Sequence, residues 1–360
     1  MSNVKLKMKN TTGLGLMSGT SLDGLDMALC SFRQVKNRWV YEIISTKTVS
    51  YPDSLSKQLA EAHKYSGLKL TKLDRKYGRW LGNKVVQFNK RHGILPSFIA
   101  SHGHTVFHQP ANRITLQIGN GAEILSTTGI TTITDFRSVD MALGGQGAPL
   151  VPVGDYLLFS DYDFCLNLGG IANISCGNDN NRLAWDICPA NMALNFIAGK
   201  MNMKMDIDGI EGKKGLVNKQ LLGELNGLEF YKILPPKSLG REWFERNFLK
   251  ILTDHQASWH DKLRTVYEHI SLMVASACLS YPEGRLLITG GGAHNIFLIE
   301  RINHNSKHDI IIPGKNIIDF KEALIFAFLG LLRLENKVNC LSSVTGSSKD
   351  SIGGSVYQPT

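Results

Sequence analysis

A chain of 360 residues has room for about two domains at ~150 residues each. With 43% apolar and 20% charged residues, it has the composition of a soluble globular protein with sizeable cores. Its net charge of +9 reads as a generally basic surface or as attraction to anionic ligands such as nucleotides. No long basic block or basic stripe interleaved with aromatics is present, so nucleic acid is not an expected partner.

The N-terminal MSNVKLKMKN is basic but lacks a signal-peptide core and cleavage pattern. Residues 14–50 read as β-rich, beginning with a strand–turn–strand over Leu14 to Cys30 and continuing through WVYEIISTKTVSY. Residues 54–92 read as helical, with Leu55, Leu59 and Ala62 on one buried face. Phe98 to Ser101 is a short buried strand, and ITLQIG and GITTITDF are further strands. Val139 to Pro152, rich in Gly and Pro, reads as a loop and a passage between domains. A second strand–turn–strand, Phe164 to Cys176, opens the second half. A strand ending near Asp186 follows, then a helix after Pro189. Leu263, Val266, Tyr267, Ile270, Val274, Ala277 and Cys278 form one helical stripe, which leads into strand RLLIT and the turn GGGAHN. Phe320 to Glu335 is an apolar helix, and the tail LSSVTGSSKDSIGGSV is small, polar and expected to be flexible. The longest apolar run, Leu324 to Leu332, is shorter than the ~20 residues needed to span a bilayer, so no membrane partner is expected. The six cysteines form no CxxC pair, which fits a reducing cytoplasm.

Alternating strands and helices in both halves predict an α/β architecture, with ligands in crevices beyond strand ends. The two matching hairpins predict a nucleotide cleft between two lobes. No Walker P-loop or GxGxxG follows a strand, so phosphate, if it is bound at all, must be held by other turns. In MSGTSLDGLD, Gly19 and Gly24 free the backbone, while Ser18, Thr20 and Ser21 offer hydrogen bonds to phosphate. Asn167 and Asn173 do so in the second turn. Asp23 and Asp26 suit a hydrated Mg²⁺, usually through waters; the alternative is an ordinary hairpin with Asp-Gly turn chemistry. Asp186 suits a general base facing a cleft, or a helix N-cap. His102, His104 and His108 read as core or substrate-side histidines rather than a metal triplet, because no matching ligand set follows. Arg137 can fork onto a carboxylate or phosphate, or form a structural ion pair. GGGAHN can approach an adenine or ribose closely, or be a tight strand–helix turn.

Taken together, MSGTSLDGLD, SHGHTVFH, LQIGNGAEI, TDFRSVDMALGGQGAPLVP, NLGGIANIS, WDICPAN, TGGGAHN and the VTG near the C-terminus resemble the anhydro-N-acetylmuramic acid kinase family over nearly the whole chain. The resemblance implies a two-lobed actin-like ATPase fold with ribonuclease H-like lobes. The expected division is 1–140, with 336–360 returning to it, and 141–335. It implies an ATP- and Mg²⁺-dependent cytoplasmic kinase that opens 1,6-anhydro-N-acetylmuramic acid with water and yields N-acetylmuramic acid 6-phosphate, in cell-wall recycling. A homodimer is left open.

By that resemblance, Gly19, Thr20, Ser21, Leu22, Asp23, Gly24, Leu25 and Asp26 form the first phosphate loop. Asn167, Gly169, Gly170 and Asn173 belong to the second, Gly290, Gly291, Gly292 and Asn295 to the adenosine-side turn, and Asp186 is the catalytic base. His102, Arg137, Gln146 and Glu322 fall on the substrate side. Two departures stand out: His104 replaces a usual Gln, and Asp186-Ile187-Cys188-Pro189 replaces DTGP. The rival readings are another sugar kinase of the same superfamily acting on a free hydroxyl, a nucleotide-dependent binding module, and a metal hydrolase built on the histidines.

Overall fold

The alternating residues of Leu14–Cys30 pair as β1 (Thr11–Ser18) and β2 (Leu25–Val35), antiparallel, with Ser18 opposite Leu25 across the turn. The computed structural model describes residues 10–19, 22–177 and 181–360. The chain divides into two compact units. Unit 1 runs up to Leu158 and takes in Phe320–Thr360, and unit 2 is Phe159–Asp319.

In unit 1, β2 continues into β3 (Arg38–Val49), also antiparallel. Then come β4 (Phe98–Ser101), β5 (His104–Gln109), β6 (Ile114–Ile118) and β7 (Thr132–Thr134). The main sheet has the order β7-β4-β1-β2-β3, extended at the β7 edge by the C-terminal strand Ser355–Tyr357; β5 and β6 pair separately. β4 lies parallel to β1, and β7 parallel to β4. Helix Gly67–His92 buries Leu73, Tyr77, Leu81, Val85 and Phe88 at helical spacing and stops at Gly93, whose φ of 66° ends the helix. Helix Lys315–Leu334 is buried nearly all round from Ala323 to Leu332. It lies so close to β1 that a methyl at Gly15 would overlap the Ala323 carbonyl.

Unit 2 repeats the plan. Its strands are β8 (Phe164–Leu168), β9 (Ile171–Cys176), β10 (Leu183–Pro189), β11 (Arg285–Thr289) and β12 (Asp309–Ile311). The order is β10-β9-β8-β11-β12, with β8/β9 and β9/β10 antiparallel and β8/β11 and β11/β12 parallel. Counted within each unit, both sheets read 3-2-1-4-5, with the same strand directions. The predicted stripe forms helix Trp259–Cys278, which buries Leu263, Val266, Tyr267, Ile270, Val274 and Cys278 against this sheet. It is capped by Ser258, whose Oγ accepts from the Asp261 amide at 3.1 Å.

Three expectations are corrected. The division falls at Leu158/Phe159 and inside helix Lys315–Leu334, rather than at 140 and 335, because that helix packs on β1. β10 does not end at Asp186 but runs on to Pro189, with a register irregularity between Asp186 and Cys188. The tail is ordered. Cys340 bridges Ser351, helix Ser342–Thr345 forms, and Ser355–Tyr357 pairs with β7. Among the described residues, no helix is long and apolar enough to cross a membrane.

Candidate active site

Each unit brings its own candidates together at the ends of its strands. In unit 1 the turn between β1 and β2 carries Gly19, Leu22, Asp23 and Gly24; Thr20 and Ser21 lie outside the described residues. Leu22 takes a positive φ of 59°, and Asp23 is exposed. A methyl at Gly24 would come within 2.9 Å of the Val49 carbonyl oxygen, so this glycine is required by packing inside the unit. Leu25 is fully buried. Asp26 faces Thr48 on β3, whose Oγ1 donates to Asp26 Oδ1 at 2.6 Å, and the carboxyl is thereby fixed in direction.

Below this turn runs a buried polar chain. Tyr51 donates to Ser18 Oγ at 2.8 Å, Tyr77 lies 3.0 Å from the Tyr51 hydroxyl, and Ser18 Oγ is 3.3 Å from His104 Nδ1. His104 thus supports the turn through Ser18. His108 instead faces Thr115 Oγ1 at 3.3 Å, and His102 has a third set of partners, so the HxH triplet splits three ways. Among the described residues no group of three or more His, Cys, Asp or Glu is placed to hold a metal.

His102 leaves the end of β4, buried, with Nδ1–H donating to the Gly103 carbonyl at 2.9 Å. Arg137, just past β7, donates to its Nε2 from Nε at 3.2 Å and from Nη2 at 2.9 Å. An arginine only donates, so Nε2 must be the bare acceptor and the ring is neutral. Burial, then the Arg137 charge, pulls the imidazole down to about 3, in agreement with that geometry. Burial also lowers the guanidinium to about 10, and Glu322 partly offsets the shift. The third arm of Arg137, Nη1, donates to the Gly147 carbonyl at 2.6 Å, beside the exposed Gln146. Glu322 is half-buried; burial raises its carboxyl, Lys321 and Arg137 pull it back, and Asp26 and Asp155 push it further up. Asp26, Glu322, Arg137 and His102 therefore form one electrostatically connected group within unit 1.

Unit 2 has a shorter turn. Gly169 and Gly170 join β8 to β9, and Asn167 pairs with Asn173 in register. The start of helix Asn191–Lys200 locks this turn. The Ala190 and Met192 amides donate to the Gly170 carbonyl at 2.8 and 3.1 Å, and the Asn191 amide to Gly169 at 3.1 Å. Asn191 Nδ2 also donates to the Leu168 carbonyl at 2.9 Å.

The glycines here separate into two kinds. At Gly290 the φ is 82°, and at Gly292 a methyl would sit 2.7 Å from Leu168 Cβ, so both are demanded by packing of the GGG turn against β8. At Gly169, Gly170 and Gly291 the φ is not in the left-handed region, and a methyl would meet nothing nearer than 3.4 Å. The protein's own packing does not require glycine at those three positions, so their backbone is left open to close approach.

Asp186 stands opposite Asn173 on β10. The Leu239 amide donates to its Oδ2 at 2.7 Å, and its own amide donates to the Lys237 carbonyl at 3.0 Å. Half-buried, the carboxyl is pushed up to about 6, and the Leu239 hydrogen bond limits the rise. It is not a helix N-cap; residue 190 occupies that place and no side chain caps the helix. Ile187 takes up the bulge, and Cys188 is fully buried without a left-handed φ, so a backbone without glycine fits the Ile187-Cys188 departure.

Asn295 has partners on both sides of its amide. Its Oδ1 accepts from the Leu298 amide at 3.0 Å as the N-cap of helix Ile296–Asn305. Its Nδ2 donates to Tyr267 Oη at 2.8 Å and to the Asp206 carbonyl at 3.1 Å. Both ends of the Asn295 amide are thus engaged inside unit 2, and the side chain fixes the GGG turn to helix Ile296–Asn305. Asp140, Asn191, Asp206 and the Leu239 amide are not marked as functional by the sequence alone. Asp140 lies within TDFRSVDMALGGQGAPLVP and Asn191 within WDICPAN, but their partners are distant or belong to the backbone.

Two sheets of 3-2-1-4-5 order in one chain, each with a glycine turn between its first two strands, define a duplicated ribonuclease H-like protein of the actin-like ATPase class. The anhydro-N-acetylmuramic acid kinase family matches residues 11–359, and the chain belongs to that family. It is 34% identical to the anhydro-N-acetylmuramic acid kinase of Coxiella burnetii, with 96% of each chain covered. Identity to that of Saccharophagus degradans is 32%, covering 98% of this chain and all of the other. Among solved structures it is similar to a ROK family glucokinase from Streptomyces griseus in complex with glucose and AMPPNP (TM-score 0.40, 10% identity, 88% of this chain and 98% of that chain). The family makes the chain an ATP-dependent sugar kinase.

Proposed function

We propose that the enzyme acts on 1,6-anhydro-N-acetylmuramic acid, converting it with ATP and water into N-acetylmuramic acid 6-phosphate and ADP. Family membership supports the substrate, and the observation that carries the chemistry is Asp186. The Leu239 amide orients this carboxyl through Oδ2, and burial raises its basicity while leaving it ionised at neutral pH. Asp186 takes a proton from water, the water oxygen bonds to C1, and the C1–O6 bond breaks. O6 then takes the γ-phosphoryl group and ADP leaves. The remaining catalysis is positioning and electrostatic stabilisation, as in phosphoryl transfer generally.

The turns Gly19–Asp26 and Asn167–Asn173 are each a phosphate-binding turn in this reading, with Gly169, Gly170 and Gly291 open to close approach. Asp26, fixed by Thr48, and the exposed Asp23 suit a Mg²⁺ ion that keeps most of its water shell. When bound, that ion offsets phosphate charge. His102, Arg137, Gln146 and Glu322 form the sugar side. We place the enzyme in the cytoplasm, where ATP is available and thiols stay reduced; its six cysteines are free and buried.

The test is mass analysis of the product made from anhydro-sugar, ATP and Mg²⁺ in ¹⁸O-water over a short time course. One solvent oxygen at C1 together with a 6-phosphate is the expected product. A phosphorylated sugar without early solvent oxygen would instead indicate a kinase that acts on a free hydroxyl.

A further inference from the structure

The VTG stretch near the C-terminus has no part in the chemistry above, yet its threonine reaches the buried Asp140. Asp140 is fully buried. Its Oδ1 accepts from Thr345 Oγ1 at 2.7 Å and from Cys340 Sγ at 3.2 Å. Its Oδ2 accepts from the Gly147 amide at 2.7 Å, and its main-chain carbonyl accepts from the Gly145 amide at 2.9 Å. Between these two, the Gln146 amide donates to the Thr345 carbonyl at 2.9 Å. Arg137 holds the other side of the Gly147 residue, donating to its carbonyl at 2.6 Å. Three consecutive amides of the loop are thus tied down, two by Asp140 and one by Thr345. The Gln146 side chain is left exposed at the tip.

We propose that Asp140, locked in place by Thr345 and Cys340, is a positioning residue that holds the Gly145–Gly147 loop in the form that receives the sugar. The inference rests on the sugar-side reading of Gln146 and Arg137. The physical need is clear from composition. Gly144, Gly145 and Gly147 give the loop more freedom than any other residues would, and binding would have to freeze that freedom if the fold did not. Gly145 must itself be glycine, because a methyl there would overlap the Asp140 carboxyl. The side chains that lock Asp140, and the carbonyl that holds the Gln146 amide, come from residues some 200 positions away, so the C-terminal segment completes the loop.

The experiment compares full-length wild type, Thr345→Val and Thr345→Ser by amide hydrogen exchange and by steady-state kinetics with anhydro-sugar and ATP. In Thr345→Val, exchange at Gln146 and Gly147 is expected to rise at least tenfold. The KM for sugar is expected to rise about tenfold, matching the loss of one buried hydrogen bond to a carboxylate, while the KM for ATP stays within about twofold. Thr345→Ser, which keeps the hydroxyl, is expected to remain near wild type in all three. Unchanged loop exchange in a folded Thr345→Val protein overturns the positioning role. Faster exchange with unchanged sugar KM overturns the sugar-side reading instead, and the proposal with it. Should Thr345→Val fail to fold, Cys340→Ala removes the weaker donor to the same oxygen. The same readouts then decide at smaller amplitude.

Discussion

After the fourth strand of its sheet, unit 1 turns through His102-Gly103-His104, and unit 2 turns through Gly290-Gly291-Gly292. The strand orders are the same, so the difference lies in what the exits carry. Unit 1 fills its exits with large polar groups that are mutually constrained: the buried His102 on the half-buried Arg137, and Arg137 on Gly147. Unit 2 strips its exits to backbone and keeps one acid, Asp186, beside the turn. In the proposed reading, the single scaffold serves two chemistries. Fixed donors and acceptors suit a sugar's hydroxyls and carboxylate, while bare backbone suits the close approach of phosphate.

The sharpest way to break this comparison is at the acid. In Asp186→Asn the amide oxygen still accepts from Leu239, but the base is gone. Turnover should fall ~1,000-fold or more, toward the upper range of general-base effects. The same change should stabilise the fold above pH 6. Burial raises the folded pKa to about 6 from near 4 in the unfolded chain, so ionisation costs stability progressively as pH rises through that window. The stability gain of the variant, of order 1 kcal/mol or more, should appear in denaturant titrations at pH 8 and vanish near pH 4. In the wild type, the same protonation predicts an acid limb in kcat/KM with a midpoint near pH 6. Near-normal turnover in the variant would remove Asp186 from the chemistry and leave unit 2 as a phosphate holder alone.

Next in size is Arg137→Lys. Lysine cannot reproduce the fork that reaches His102 twice and Gly147 once. The kcat/KM for the anhydro-sugar should fall about 30-fold, from the loss of charge-assisted hydrogen bonds worth ~2 kcal/mol. The KM for ATP should barely move. A variant impaired toward ATP rather than sugar would reverse the assignment of the two exits.

Much of this was legible in the chain. The two glycine turns between apolar strands, the helical stripe from Leu263 to Cys278 and the apolar helix near the C-terminus follow from period and turn chemistry, and each is local. What stayed hidden depends on distant partners. The tail reads as flexible because Ser and Gly carry no apolar period. Its order comes from polar ties: Asn339 donates to the Leu329 and Gly353 carbonyls, and Asp350 accepts from Ser342. Asp186 reads as a strand terminus because Pro189 lies close by, yet the bulge at Ile187 lets the strand continue. The unit boundary is not legible in the chain because the packing of helix Lys315–Leu334 on β1 joins segments about 300 residues apart.

Two glycine substitutions in unit 2 sharpen the comparison at its smaller scale. In Gly292→Ala the new methyl meets Leu168, so either β8 or the GGG turn must shift. A stability loss of about 1–3 kcal/mol should follow, seen as a Tm several degrees lower. In Gly170→Ala the methyl meets nothing nearer than Met192 at 3.7 Å, and the backbone is not left-handed. That variant should be as stable as wild type, or slightly more so through its less flexible unfolded chain. Its KM for ATP should nonetheless rise severalfold, because the methyl occupies the path along which phosphate reaches the turn. A loss of nucleotide affinity without a loss of stability is the signature of a glycine kept for a ligand. Unchanged affinity in Gly170→Ala would mean that the backbone of the β8–β9 turn does not touch phosphate, and the contrast between the two units would then rest on Asp186 and the GGG turn.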